Sequence, residues 1–431
     1  MRIARDARRS RVPSVTPCAI ILHDQWSSVG IVTRMELDRI AYRRVRQVRA
    51  GVSDRSSISI SVRDHSAWPD IAGVWADLAE KSPHTTFFLT PEWVESWLGV
   101  FGASLRPRVL LFSRQSTVVG ACLLVRRVER KGPFRLTRVY LNTAGENEAD
   151  SACIEFNALL CLEGSEEPVA GALADYLRDE RWDEFELPGM SPGATQDALE
   201  HALRGFTVRR HAVPSHFVKV QALRDSGSDY ASSLRRKVRS QVRSYLKKYE
   251  ELGPLRLVAA RDTAEALAAL ERLAGLHQER WSALDLPGAF ASTQFVAFHR
   301  ALIERVFPAG GAQLLDVRAG TEEVGLLYNF VHRGKVYFYQ CGLRYLQDNA
   351  FKPGFVTHVA AVNYALESGL DEYDMMAGDQ RYKKELAADS RVITWLVFER
   401  ANAKTWAIRR LRSLKGRLPV SFAKPDPALR R

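Results

Sequence analysis

The residues from Tyr337 to Lys384 constrain this chain more than any other stretch, because they read in order as strand, polar loop, Pro-Gly turn, helix, short strand and ionisable tail. Val336-Tyr337-Phe338-Tyr339-Gln340-Cys341 is an aromatic and β-branched run bounded by Gly334 and Gly342, the composition of a buried strand. Leu343 to Asn349 turns polar. Lys352-Pro353-Gly354 then opens a segment in which Phe355, Val359, Val362 and Leu366 recur at helical spacing, and Gly369 stops it. Tyr373-Asp374-Met375-Met376 is short enough to be a second strand beside the first, after which Gly378 releases the chain into Asp379 to Lys384. Such an order forms one nucleotide-type crossover of the α/β class. A glycine at the helix start lets the backbone come close to a ligand, and the unpaired N–H groups of the first turn attract phosphate oxygens. Lys352 adds a mobile positive charge.

The block resembles the GNAT acyltransferases, in the branch that includes CelD-type cellulose-biosynthesis proteins and shades into the FemAB aminoacyltransferases. That branch combines a Pro-Gly before a helix, a Gly-Leu, a Tyr-Asp strand and Gly-Asp-x-x-Tyr-Lys. Here these are Pro353-Gly354, Gly369-Leu370, Tyr373-Asp374 and Gly378-Asp379-Gln380-Arg381-Tyr382-Lys383. Phe355 departs from the pattern, which has a small residue after Pro-Gly. Singly, Pro-Gly and Tyr-Lys are common punctuation. Their ordered combination carries the resemblance.

Length and charge bound the rest. A chain of 431 residues with 46% hydrophobic content has room for two domains of ordinary size. The formal charge of +12 is concentrated at the ends. Residues 1–55 carry 12 arginines against 5 acids, residues 404–431 carry 9 basic groups against 1 acid, and the body between them is slightly acidic. Basic tails on a near-neutral body fit contact with acidic surfaces better than a nucleic-acid-binding core. Cysteines 18, 122, 153, 161 and 341 are odd in number and none forms C-x-x-C, so a disulfide framework or thiolate zinc site is not expected. The longest apolar runs, such as Cys18 to Leu22, fall far short of the roughly 20 residues of a spanning helix. Arg8-Arg9 is followed by an apolar stretch that ends at His23-Asp24-Gln25, too early for an export core. The expected location is the cytoplasm, and Met35 offers a second start.

The two halves echo one another. Val118 to Val125 parallels Glu323 to Phe330, each following a strand, Arg108 to Phe112 or Gln313 to Val317, as the second arm of a hairpin. Trp182 to Gly189 likewise parallels Leu370 to Gly378. With the family resemblance this implies two tandem GNAT-like domains of α/β class with mixed sheets. The expected limits are a disordered basic tail over 1–55, a first domain over 56–215, a second over 216–403 and a basic tail over 404–431. Leu141 to Cys161 lacks the Pro-Gly-helix order, which favours the second half for the donor. Phe87 to Trp93 resembles the family's early Phe-x-x-Pro-x-Trp element, although Trp93 and Trp97, at i and i+4, suit a core. Between the halves, Ser228 to Leu252 reads as one helix, with Tyr230, Leu234, Val238, Val242, Tyr245, Tyr249 and Leu252 on one side and a basic face around Arg235, Arg236 and Arg239. That face suits a solvated surface or a polyanionic ligand such as tRNA, which the FemAB branch handles. Asp262-x-x-Glu265 starts the next helix.

Other chemistries fit less well. Gly189-Met190-Ser191-Pro192-Gly193 has the G-x-S-x-G form, but the residue after the serine must donate an N–H to an oxyanion and Pro192 has none. The ten histidines form no H-E-x-x-H pair, and no metal is expected. Neither G-x-G-x-x-G nor the P-loop pattern occurs.

The resemblance thus implies an N-acyltransferase with acyl-CoA, foremost acetyl-CoA, as donor and an amine-bearing small molecule or sugar as acceptor, in cell-envelope or exopolysaccharide synthesis. Donor contacts are expected at Tyr339, Gln340, Cys341, Lys352, Pro353, Gly354 and Phe355, and substrate contacts at Asp374, Gly378, Arg235 and Arg239. Asp379 is the candidate base, Tyr382 the proton donor to the leaving thiolate and Lys383 the electrostatic stabiliser. Two alternatives stand beside this: aminoacyl or peptidyl transfer from charged tRNA, and a non-catalytic scaffold of a polysaccharide pathway that binds through its basic tails.

Overall fold

The computed structural model of the protein describes residues 58–415. The tail expected over 1–55, with Arg8-Arg9 and Met35, lies outside them. In the first half, β1 (Ile58–Asp64) leads into α1 (Trp68–Lys81) and α2 (Pro91–Trp97), then β2 (Arg108–Arg114), β3 (Thr117–Lys131), β4 (Phe134–Leu141), α3 (Glu166–Asp179), β5 (Glu184–Met190), α4 (Ala194–Ala202) and β6 (Thr207–Lys219). After the basic helix α5 (Arg236–Glu250) the series repeats. It runs β7 (Leu255–Ala259), α6 (Thr263–Ser282), α7 (Thr293–Val306), β8 (Ala312–Ala319), β9 (Glu322–His332), β10 (Lys335–Leu343), α8 (Pro353–Glu367), β11 (Glu372–Ala377), α9 (Arg381–Leu386) and β12 (Asp389–Glu399). A final helix, α10 (Ala403–Lys415), occupies part of the expected C-terminal tail.

All these strands join one thirteen-stranded sheet, whose two-residue strand Leu160–Cys161 stands beside β3. The others lie in the order β1-β2-β3-β4-β5-β12-β6-β11-β10-β9-β8-β7. Read from either edge, the halves are the same except that each lends its last strand to the other: β12 pairs with β5, β6 pairs with β11, and β6 and β12 pair together. The domain limit expected between residues 215 and 216 falls inside β6. The echo seen in sequence is accurate to a residue. In β3 the register slips at Val119 and in β9 at Val324, the matching positions of the two hairpins.

The local signals explain the elements. Thr90 caps α2 through Trp93 N with Pro91 in the first turn, and Asp262 caps α6 through Glu265 N. The expected single helix over 228–252 is broken. Residues 230–233 form a separate turn, and Leu234 and Arg235 are extended before α5 begins. The apolar period survived the break because Tyr230, Leu234 and Val238 all enter the same core.

One face of the sheet carries α1 and α2 with α6 and α7 in a shared aromatic core. Phe87 stacks on Phe330 at 4.2 Å, and Trp93 meets Phe298 edge-on at 4.9 Å. Those rings fuse the halves. On the other face α3 and α4 cover the first half, while α5, α8 and α9 cover the second. No helix among the described residues is long and apolar enough to cross a membrane.

Candidate functional site

In the second half, β10 and β11 run parallel for three pairs only, Lys335↔Glu372, Val336↔Tyr373 and Tyr337↔Asp374. They then part. β10 continues to Leu343, bulged at Tyr339, where Gln340 pairs with Tyr328 and Phe338 with Asn329. β11 turns aside through a bulge against β6, with Met376 at φ 61° and Gly378 at φ 144°. Among the described residues the ladder between β10 and β11 ends at Tyr337↔Asp374.

A buried polar knot holds the end of β11. Lys383, fully buried on α9, donates from Nζ to Met376 O at 3.1 Å and to Ala377 O at 2.9 Å. Gly378 beneath it has φ 144°, a conformation strained for any residue with a side chain, and a Cβ there would also press on Gln380 Oε1 and Lys383 Nζ. Glu155 crosses from the first half and accepts from Ala377 N at 2.8 Å. Asp374, also buried, accepts from Ser215 Oγ at 2.6 Å and Met376 N at 2.7 Å, and its other oxygen lies 3.1 Å from Lys335 Nζ. Burial pushes the Glu155 carboxyl up and the Lys383 ammonium down, each partly restrained by the charge of the other. Two groups so displaced beside a gap can exchange protons near neutral pH.

The expected site residues divide. Tyr382, Lys383, Cys341, Asp374 and Gly378 come together around the gap. Tyr382 is buried, stacked on His358 at 5.4 Å, and burial holds its phenol well above the ordinary range, with Cys341, Tyr373 and Tyr345 near enough to add to the effect. Asp374 is fully buried and engaged by Ser215, Met376 N and Lys335, so it shapes the strand end. Asp379 is exposed and paired with Lys384 at 2.6 Å. The hydroxyl of Tyr339 donates to Ala152 O at 2.7 Å, which holds its side chain in the aromatic core rather than in the gap. Gln340 Nε2 is buried with no hydrogen-bond partner among the described residues.

At the start of α8, Lys352 is the N-cap residue, Pro353 and Gly354 are buried, and burial lowers the Lys352 pKa. The ring of Phe355 turns into the core against Tyr245 at 5.3 Å, so it does not obstruct the helix terminus. Phe351 likewise meets Tyr249 at 4.9 Å, which sets the C-terminal end of α5 beside the N-terminal end of α8. Arg235 and Arg239, at the opposite end of α5, are therefore not brought to the helix start; about 15 Å of helix separates Arg235 from Tyr245. Lys248, stacked 5.4 Å over Phe351, is the basic residue of α5 found there.

Glu155 and Lys248 were not among the candidates. The signal for Glu155 is that it is the one charged residue between Ala152 and Leu162, in an otherwise apolar run. Among the described residues no group of three or more His, Cys, Asp or Glu side chains could hold a metal ion.

Residues 236–384 match the family model described as Acetyltransferase (GNAT) domain, which spans α5 to α9 and the whole of this gap. No curated protein sequence matches the chain. Among solved structures, FemX is similar in fold with a TM-score of 0.51 at 12% identity, covering 79% of this chain and 98% of that one. L-PGS from Bacillus licheniformis aligns with a TM-score of 0.47 at 11% identity, covering 81% and 97%.

Proposed function

We propose that this chain, whose residues 236–384 carry a GNAT acyltransferase domain, transfers an acyl group from acyl-CoA to an amine in the gap between β10 and β11. The observation that carries the reading is the parting of two parallel strands after Tyr337 and Asp374, with a Pro-Gly helix start beside it. An extended amide-bearing arm can lie between the parted strands β10 and β11, and its phosphates can lie at the start of α8 near Lys352 and Lys248. Acetyl-CoA is the donor we favour, and such a donor sets the reaction in the cytoplasm.

In this reading the amine nitrogen attacks the thioester carbonyl carbon, the C–S bond breaks, and the amine's proton passes to a base while the thiolate takes one from an acid. Lys383 supplies positive charge beneath the end of β11, and Tyr382 is the candidate acid for the thiolate. Asp379, exposed and already ion-paired, suits orientation of the acceptor better than proton abstraction. In a thermal-shift titration, acetyl-CoA should raise the Tm, and amines should then discharge it to free thiol. A Tm indifferent to saturating acetyl-CoA would remove the donor from this site.

A second reading, aminoacyl or peptidyl transfer from charged tRNA, is favoured by one observation: Arg235, Arg236 and Lys237 are exposed together where α5 begins. Salt-dependent tRNA binding that disappears in an Arg235→Gln, Arg236→Gln, Arg239→Gln variant would select it.

A further inference from the structure

The first half has a gap of the same construction, but it is filled. β4 and β5 pair in parallel from Arg138↔Glu184 to Tyr140↔Glu186 and then part, as β10 and β11 do. Into the opening runs the chain's own segment around Asn157. Asn157 N donates to Gly189 O at 2.8 Å, and Ser191 N donates back to Asn157 O at 2.8 Å, the hydrogen bonding of an added strand. On the opposite wall Asn157 Nδ2 donates to Leu141 O at 3.3 Å, and Asn142 Nδ2 donates to Asn157 Oδ1 at 2.7 Å and Ala158 O at 2.9 Å. Both asparagines are buried. Gly189 leaves no slack, because a Cβ there would stand 2.5 Å from Ile154 O. In the second half the corresponding stretch after β10 stays outside the gap, and Arg344 to Ala350 are exposed.

The same filling segment reaches across to the working half. Tyr339 donates to Ala152 O, Phe156 packs edge-on to Tyr337 at 5.3 Å, and Lys335 Nζ lies 3.8 Å from the Phe156 ring centre. Between these anchors Glu155 is delivered to Ala377 N on the wall of the second gap. The charged groups that face it are Lys383 from α9 and Asp374 from β11, with Lys335 on β10, Arg391 on β12 and His216 on β6 in the surrounding shell.

We propose that the first half binds no thioester, because residues 152–159 occupy its gap, and that through Glu155 it supplies the second half with the proton acceptor for the attacking amine. This rests on the acyl-transfer reading given above. As the nitrogen attacks and the C–S bond breaks, one amine proton moves to the Glu155 carboxylate, and the next catalytic cycle begins when solvent removes it. The two halves then form one active site from two domains of the same fold, and duplication has supplied a base where a second donor site would have been.

The test uses the full-length chain with acetyl-CoA. Native mass spectrometry or calorimetry should give one thioester per chain, and kcat/KM should fall as the pH drops through the raised Glu155 pKa, in a limb above the ~4.3 of a free glutamate. Glu155→Gln should keep single-site binding, lose that limb and lower kcat by about 10²–10⁴; Glu155→Asp should restore the limb in part. Two thioesters per chain would overturn the inference while leaving the donor reading standing, whereas none would overturn the donor reading and this with it. A Glu155→Gln variant with unchanged kcat and an unchanged acid limb would also overturn it. Should that variant not fold, the stoichiometry and pH profile of the unaltered protein decide.

Discussion

Replacing Lys383 by methionine tests whether the knot at the end of β11 is held by a buried charge. The ammonium is fully buried and donates to two backbone carbonyls, Met376 O and Ala377 O. Its loss leaves both acceptors without that donor, at about 1–3 kcal/mol each, and removes a cation facing Glu155 and Asp374. Breaking a buried pair from one side costs about 3–5 kcal/mol. Glu155 can escape part of this by taking up a proton, since burial already raises its pKa, so the low end is expected. At ~1.3 °C per kcal/mol for a fold of this size, the Tm should fall by about 4 °C. Chemical unfolding of Lys383→Met, Glu155→Gln and the double variant at neutral pH closes a cycle. The double variant should recover at least ~1 kcal/mol relative to the sum of the singles. Additivity within ~0.5 kcal/mol, or a negligible loss in Lys383→Met, would refute the coupling.

Further outcomes follow from individual positions. Gly189→Ala, in a left-handed backbone at φ 58° with a carbonyl 2.5 Å from the new methyl, should destabilise by more than ~1 kcal/mol, while Gly275→Ala on open space in α6 should stabilise by about 0.5–1 kcal/mol. The reverse order in thermal melts would contradict the packing of the first gap. His299 is fully buried and held neutral, its pKa pushed down to about 3 by burial. Below the unfolded value of ~6.5 only the unfolded chain takes the proton, so this contribution to stability is lost as pH falls from there toward the folded value. The stability of the native protein relative to His299→Leu should therefore drop by about 2 kcal/mol between pH 6.5 and 5. A difference independent of pH would mean that His299 is protonated in the fold.

Much of the second half was legible because its signals are local. Pro353-Gly354, Gly369 and the aromatic and β-branched run through Tyr337 each fix a backbone turn or strand within a few residues, and all appear where expected. The hairpin echo was legible for the same reason. The exchange of β6 and β12 was not, since those partners lie more than 170 residues apart at each rung and nothing local distinguishes a strand that pairs within its half from one that crosses. Glu155 escaped for a related reason: an acid in an apolar run signals burial, but its partner Ala377 N is 222 residues away. Arg235 and Arg239 are the opposite case, a strong local pattern whose distance from the start of α8 only packing reveals.

Hydrogen exchange of the full-length chain with and without saturating acetyl-CoA measures the central claim most directly. The account predicts slowed exchange in residues 338–343 and at the start of α8, residues 353–357, with residues 142–161 protected equally in both states because their own chain already fills that gap. Unchanged exchange along β10 and α8, or new protection confined to residues 142–161, would contradict it.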